Sequence, residues 1–171
     1  TAGGPHTLEV IESNGGCSSA LVTLDITIVD GPTASAGING DVCVGDIYTL
    51  SGSATNQVSV LWTTSGDGIF AVSTSAISDY TPGTNDIATG SVDLTLTAIG
   101  TAPAGSACAT NSSILTLTIH QVPTSSAGTN DNVCLGNNYT LSGTSANGTG
   151  AWTTSGDGIF AVSTSATSDY I

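Results

Sequence analysis

The stretch "WTTSGDGIFAVSTSA" occupies residues 62–76, and the same fifteen letters return at residues 152–166. It opens on a Trp, turns at Gly66-Asp67-Gly68 and then spaces Ile, Phe and Val among small residues. Self-similarity at a fixed spacing marks repeat architectures, so the period comes first. Cys43 in "DVCVGDIYTLSGSA" and Cys134 in "DNVCLGNNYTLSGTSA" lie 91 residues apart, as do Cys17 and Cys108, while Trp62 and Trp152 lie 90 apart. A period of about 90 residues is the size of a small β-sandwich. The register predicts one complete unit over residues 31–120. It is preceded at 1–30 by the C-terminal part of an earlier unit and followed at 121–171 by the N-terminal part of a later one. Both ends fall at the same loop, "TPGTNDIATG" (81–90), which reads as a window on a longer tandem array.

Within a unit the apolar residues alternate. "SVDLTLTAIG" puts Val92, Leu94, Leu96 and Ala98 on one face and Asp93, Thr95 and Thr97 on the other. Val22, Leu24, Ile26 and Ile28 alternate with Thr23, Asp25 and Thr27 in the same way, and "SILTLTIH" repeats the pattern. Period-two alternation rich in β-branched residues predicts half-buried antiparallel strands. "IYTLSGSA" and "VSVLWTTSG" read as further strands, and "SGDG", "TPGTND" and "GTAPAGS" as turns. No stretch carries a 3.6-residue apolar stripe, so almost no helix is expected. "VDGPTASAG" and "HQVPTSSAG", each short and with a Pro, read as semi-rigid junctions between units.

Thirteen acidic residues stand against no Lys or Arg, for a net charge of −13. Nucleic-acid affinity depends on cationic side chains that neutralise phosphates, so this chain lacks the means to bind nucleic acid. Anionic membrane surfaces should repel it, and no apolar run is long enough to span a bilayer. Cations, neutral glycans and copies of itself remain as partners.

Four cysteines among short strands raise the question of disulfides. The simplest framework pairs Cys43 with Cys108 and closes a loop of about 65 residues, a bridge typically worth about 2–4 kcal/mol. Cys17 and Cys134 would then pair with a neighbouring repeat or chain. Disulfides imply an oxidising, extracytoplasmic compartment. The competing reading, a metal site, lacks a CxxC and has its two His far apart. Trp62 and Trp152 are expected to anchor a core, the alternative being a platform on which a sugar stacks.

The set "LWTTSGDGIF…DYTPG…VDLTLTA" resembles a PKD-type immunoglobulin-like module, on Trp62, Gly66, Asp67, Gly68, Tyr80, Pro82, Gly83, Val92, Leu94 and Leu96. The opening "VCxGxxYTLSG", at 42–52 and again at 133–143, is similar to repeats of the long surface adhesins of gliding Bacteroidetes-type bacteria. The resemblance implies tandem extracellular immunoglobulin-like antiparallel sandwiches, an all-β fold with Trp62, Trp152, Tyr80, Leu94 and Leu96 in the core. It also implies adhesive or filament-forming roles at the cell surface, and it does not imply catalysis.

The residues themselves point the same way on chemistry. His6 and His120 stand apart from any nucleophile motif, and the only two Glu, Glu9 and Glu12, lie in a partial unit. Calcium is the one cofactor the sequence suggests, since hard oxygen ligands suit it and Asp67, Asp79, Asp86 and Asp157 sit in turns or loops. The opposing reading is that Asp favours turns for its own hydrogen bonds. The expected function is therefore that of a stalk or fibre segment. The alternative is a glycan- or calcium-binding sandwich of a secreted protein, which exposed clustering of Trp62, Tyr48 or Tyr80 would favour. Head-to-tail polymerisation by strand addition is a further option, against a continuous longer chain.

Overall fold

The computed structural model describes residues 3–102, 106 and 108–171, and the turn expected at "GTAPAGS" lies largely outside them. The fold is all-β. The chain divides into two compact units, Thr1–Ile119 and His120–Ile171.

At the start, β1 (Gly4–Val10), β2 (Ser13–Asn14), β3 (Cys17–Ser18) and β4 (Val22–Ile28) form an antiparallel hairpin, β1 pairing with β4 and β2 with β3. Its tip is Gly15–Gly16, both left-handed at φ 58° and 86°. Two positive φ values make the turn whose twist matches the flanking strands, and glycine adopts them at no steric cost. Directly opposed residues share a face, so His6–Ile26, Leu8–Leu24 and Val10–Val22 make one apolar face. Thr7–Asp25 and Glu9–Thr23 make the other, where the Thr7 hydroxyl donates to Asp25 at 2.6 Å. The alternation predicted for residues 22–28 is therefore present. Burial is not, because every residue of β4 is exposed.

Residues 31–119 hold β5 (Thr33–Ser35), β6 (Gly40–Cys43), β7 (Tyr48–Ser51), β8 (Ser53–Thr55), β9 (Ser59–Thr64), β10 (Ile69–Phe70), β11 (Ile77–Thr81), α1 (Thr84–Thr89), β12 (Ser91–Ile99) and β13, which runs over Thr110–His120. A four-stranded sheet in the order β6-β13-β12-β9 and a three-stranded sheet in the order β10-β11-β7 pack like the two layers of a sandwich, with β5-β8 as a small additional pair. Leu94, Leu96, Leu115 and Leu117 of the larger sheet and Leu50 and Tyr80 of the smaller are buried, and Trp62 is 2 % exposed between them. Each such side chain removed from water stabilises the fold by about 1.5–3 kcal/mol. Trp62, Phe70 and Tyr80 form a ring ladder, with centroids 6.1 Å and 4.9 Å apart. Val92, Leu94, Leu96 and Ala98, which alternation put on one face, are all buried. The exception to the strand-and-turn reading is α1, a single short helix inside "TPGTNDIATG".

Residues 120–171 hold β14 (Thr124–Ser126), β15 (Tyr139–Ser142), β16 (Thr144–Ala146) and β17 (Thr167–Tyr170). β14 pairs with β16 and β15 with β17. The local bonding of the repeated stretch is the same here as in residues 62–81. The Trp backbone N–H donates to Ser73 O in one copy and Ser163 O in the other. Val72 and Val162 N–H donate to the hydroxyls of Ser78 and Ser168. Thr49 and Thr140 donate to Asp79 and Asp169. Burial differs, since Trp152 is only half-buried.

The bridge expected between Cys43 and Cys108 does not form, and all four cysteines are free thiols. Strand direction gives the reason. Ala34 N–H donates to Asn111 Oδ1 at 2.9 Å, and Thr116 N–H donates to Asn39 Oδ1 at 2.9 Å. The chain from 34 to 39 therefore advances beside 111 to 116 in the same direction. Cys43 follows at the His120 end of β13, while Cys108 precedes its other end, beside Gly31. A disulfide needs Cα atoms within about 7 Å, which opposite ends of an eleven-residue strand exclude. Replacing Cys43 with Ser should accordingly change stability by no more than about 0.5 kcal/mol in urea unfolding, with and without reductant, as for an ordinary exposed position.

Candidate functional site

The densest polar cluster lies where the Gly66-Asp67-Gly68 turn meets the start of α1, and its two carboxylates exchange roles. Gly83, at the N-cap, has no side chain with which to satisfy the first N–H groups of the helix, which have no intrahelical partners. Asp67 serves instead from the neighbouring turn. It accepts from the Asn85 N–H at 3.1 Å, the Asp86 N–H at 3.3 Å and the Thr84 hydroxyl at 3.1 Å. Asp86, from the helix, reaches the other way. Its Oδ1 accepts from Asp67 N–H at 3.2 Å, and its Oδ2 accepts from Gly68 N–H at 3.1 Å, Gly83 N–H at 3.0 Å and the Tyr80 hydroxyl at 2.7 Å.

This close approach explains the composition of the motif. A Cβ at Gly66 would meet the Asp86 carboxylate, one at Gly68 the Tyr80 hydroxyl and one at Gly83 the Asp67 carboxylate. Asp86 is 2 % exposed with no cation beside it, and its charge is held by charge-assisted N–H and O–H donors. No buried side-chain nitrogen or oxygen among the described residues lacks a partner.

The cluster leaves a pH signature. The Asn85 N–H, with Asp86 N–H and the Thr84 hydroxyl, holds the Asp67 carboxyl below its ordinary 3.8. That contribution is present above pH 3.8 and is lost as pH falls through the lower folded value. Burial pushes the Tyr80 hydroxyl up to about 12, helped by its bond to the Asp86 carboxylate. That contribution is complete below the ordinary value of 10.0 and is lost as pH rises through about 12. Urea midpoints should therefore hold between these limits and fall on either side. Tyrosinate absorbance missing from Tyr80→Phe should appear only near pH 12.

Of the four aspartates proposed for calcium, Asp67 and Asp86 meet in this cluster and Asp79 stands apart from them. Asp67 and Asp86 are spent on N–H donors, Asp79 accepts from Thr49 on β7, and Asp157 is an exposed turn residue of the other unit. Among the described residues no three His, Cys, Asp or Glu side chains converge as metal ligands would. Of the aromatic residues offered for glycan stacking, Trp152 is half-buried beside a groove and the others are placed elsewhere. Trp62 and Tyr80 are buried, and the half-buried Tyr48 ring lies against Gly40, where a Cβ would overlap it.

One open feature lies in residues 120–171. A groove of about 330 Å³ runs beside Trp152, lined also by Gly143, Ala166, Ser126 and Thr144. Alternation and turn signals do not disclose it, because it is a place left unfilled by side chains. In residues 31–119 the corresponding place is occupied. A Cβ at Gly52 would lie 2.7 Å from Leu96 Cδ2 and 2.8 Å from Trp62 Cζ2, so Leu96 and the indole close over that glycine. Neither a protein-family model nor a curated protein sequence matches the chain. No helix among the described residues is long and apolar enough to cross a membrane.

Proposed function

We propose that the chain is a structural segment of an extracellular fibre or surface adhesin, built from immunoglobulin-like modules of about 90 residues in series and resembling PKD-type repeats. Its work is reach and attachment rather than catalysis. The observation that carries this reading is the duplication itself. Residues 62–76 and 152–166 share not only letters but hydrogen bonds, in which Trp62 N–H donates to Ser73 O and Trp152 N–H to the equivalent Ser163 O. A building block used twice suits an array whose stability comes from each module and its neighbours.

Two further features support it. The polar side chains with the most bonds, Asp67 and Asp86, are engaged in joining one turn to another. The absence of Lys and Arg leaves trypsin-like proteases nothing to cut and keeps a surface of one sign, an advantage for a chain held outside a cell.

Electron microscopy of native material tests the reading. Sandwich strands of about seven residues, at about 3.3 Å rise plus loops, should give an axial repeat of roughly 30–45 Å, or twice that. Compact isolated particles would sink it.

A further inference from the structure

Cys43 and Cys108 stand at opposite ends of residues 31–119. β6 lies hydrogen-bonded beside β13 and runs the same way. Asn39 Oδ1 accepts from Thr116 N–H, so Cys43, four residues on, comes level with about His120, the last residue of β13. Cys108 lies just before β13 begins, and a Cβ placed on Gly31 would lie 4.0 Å from its Cβ. The second copies keep this arrangement. Cys17, the match of Cys108, opposes Asn14 beside the Gly15–Gly16 tip, at the end of hairpin β1–β4 away from Ile28 and Gly31. Cys134, the match of Cys43, accepts through its carbonyl from Asn137 N–H at 3.0 Å, as Cys43 does from Asp46 N–H at 3.0 Å. Gly136 and Gly45 make the same left-handed step there, at φ 87° and 96°.

The repeat turns opposite ends of one module into adjacent ends of two. Val29 matches His120, so the preceding module's counterpart of Cys43 comes level with Val29. Cys108 lies beside Gly31, two residues further on. Neighbouring strands are about 4.8 Å apart, and two residues of chain span at most about 7 Å. These two cysteines thus flank one short step of chain, on the scale of the Cα separation that a disulfide requires. Cys43 of the same module is an eleven-residue strand away from Cys108.

We propose that the counterpart of Cys43 in each module forms a disulfide with the counterpart of Cys108 in the next, so that a staple crosses every junction. Cys43 bonds forward and Cys108 backward. The staple presupposes the serial reading above and adds covalent closure to it. Two thiols join through their Sγ atoms and lose two protons and two electrons to an acceptor disulfide of an oxidising compartment, which leaves as a dithiol. The consequence is mechanical. Cys17 and Cys43 are 26 residues apart, as are Cys108 and Cys134. With every junction stapled, a covalent path follows one such segment through two modules, crosses a bridge and enters the module after them. A segment of that length spans about 90 Å when fully extended. Two folded modules at the axial repeat given above span roughly 60–90 Å. A stapled array therefore stays near its folded length even when its modules unfold. Without bridges, each module of about 90 residues lengthens by roughly 300 Å on unfolding.

Two measurements on native filaments test it. The first is peptide mapping without reduction, with open thiols alkylated and pepsin used at acid pH, where thiolate exchange is suppressed. Flanking letters tell the modules apart, "DVCVGD" from "DNVCLGN" and "GSACAT" from "GGCSSA". The expected product joins the Cys108 peptide to that of the preceding module's Cys43 counterpart. A peptide joining Cys43 to Cys108 themselves would overturn the proposal. So would alkylated thiols throughout, or bridges between chains, seen as multiples of the chain mass that reductant collapses. The second is single-molecule pulling before and after reductant. Unfolding steps of roughly 300 Å should appear only after reduction. The same steps in the oxidised filament would overturn the proposal. Filaments with the expected axial repeat and open thiols would remove the staple and leave the fibre reading standing, whereas compact particles in place of filaments would remove both.

Discussion

Asp86→Ala is expected to destabilise residues 31–119 by about 3–5 kcal/mol. The carboxylate is the shared acceptor for the N–H groups of Asp67, Gly68 and Gly83 and for the Tyr80 hydroxyl. Removing it strands several buried donors at once, each costing about 1–3 kcal/mol when unsatisfied, and not additively. Domains of this size are stable by only about 5–15 kcal/mol, so the variant should sit near the edge of folding. A graded series separates this cause from mere cavity formation. Asp86→Asn can keep an oxygen at the Oδ2 position, where three donors meet, but turns an NH₂ toward the Asp67 N–H, and it should cost about half as much. Tyr80→Phe, which removes one donor and leaves the acceptor, should cost about 1 kcal/mol. Urea unfolding followed by Trp62 fluorescence gives all three values. Equal losses for the three variants would show that the cluster is not a shared node.

The second large effect distinguishes two tryptophans followed by the same fourteen residues. Trp62→Ala should cost about 3–5 kcal/mol, the range for removing a fully buried aromatic side chain. Trp152→Ala in the single copy should cost less than half of that, because its ring already borders an open groove. Single-tryptophan variants make the same point spectroscopically, with acrylamide quenching Trp152 readily and Trp62 barely. If the two residues respond alike at low protein concentration, the difference in their surroundings is wrong.

Much of the fold could be read from residue order. The alternation in 91–99 placed Leu94 and Leu96 inside, and the 91-residue offset set the register of the repeats. The aspartates were visible as turn residues, yet their partners were not. Asp67 and Asp86 are nineteen positions apart, and "TPGTNDIATG" gives no sign of a helix because six residues show too little periodicity to register. The Cys43–Cys108 pairing failed for a related reason. Spacing along a chain carries no information on which end of a sandwich a strand reaches, and β6 runs alongside β13 rather than against it.

What the sequence determined by itself was local: strand faces from period two, turns from Gly and Asp, the repeat from its letters, and the want of any cationic grip. Those properties depend on neighbours one or two residues away, or on composition alone. Tertiary structure decided which faces were covered. The apolar rows 92–98 and 22–28 look alike in sequence, but only the first has a second sheet packed on it. Burial belongs to the surface that a row meets, and that surface is assembled from residues far away along the chain.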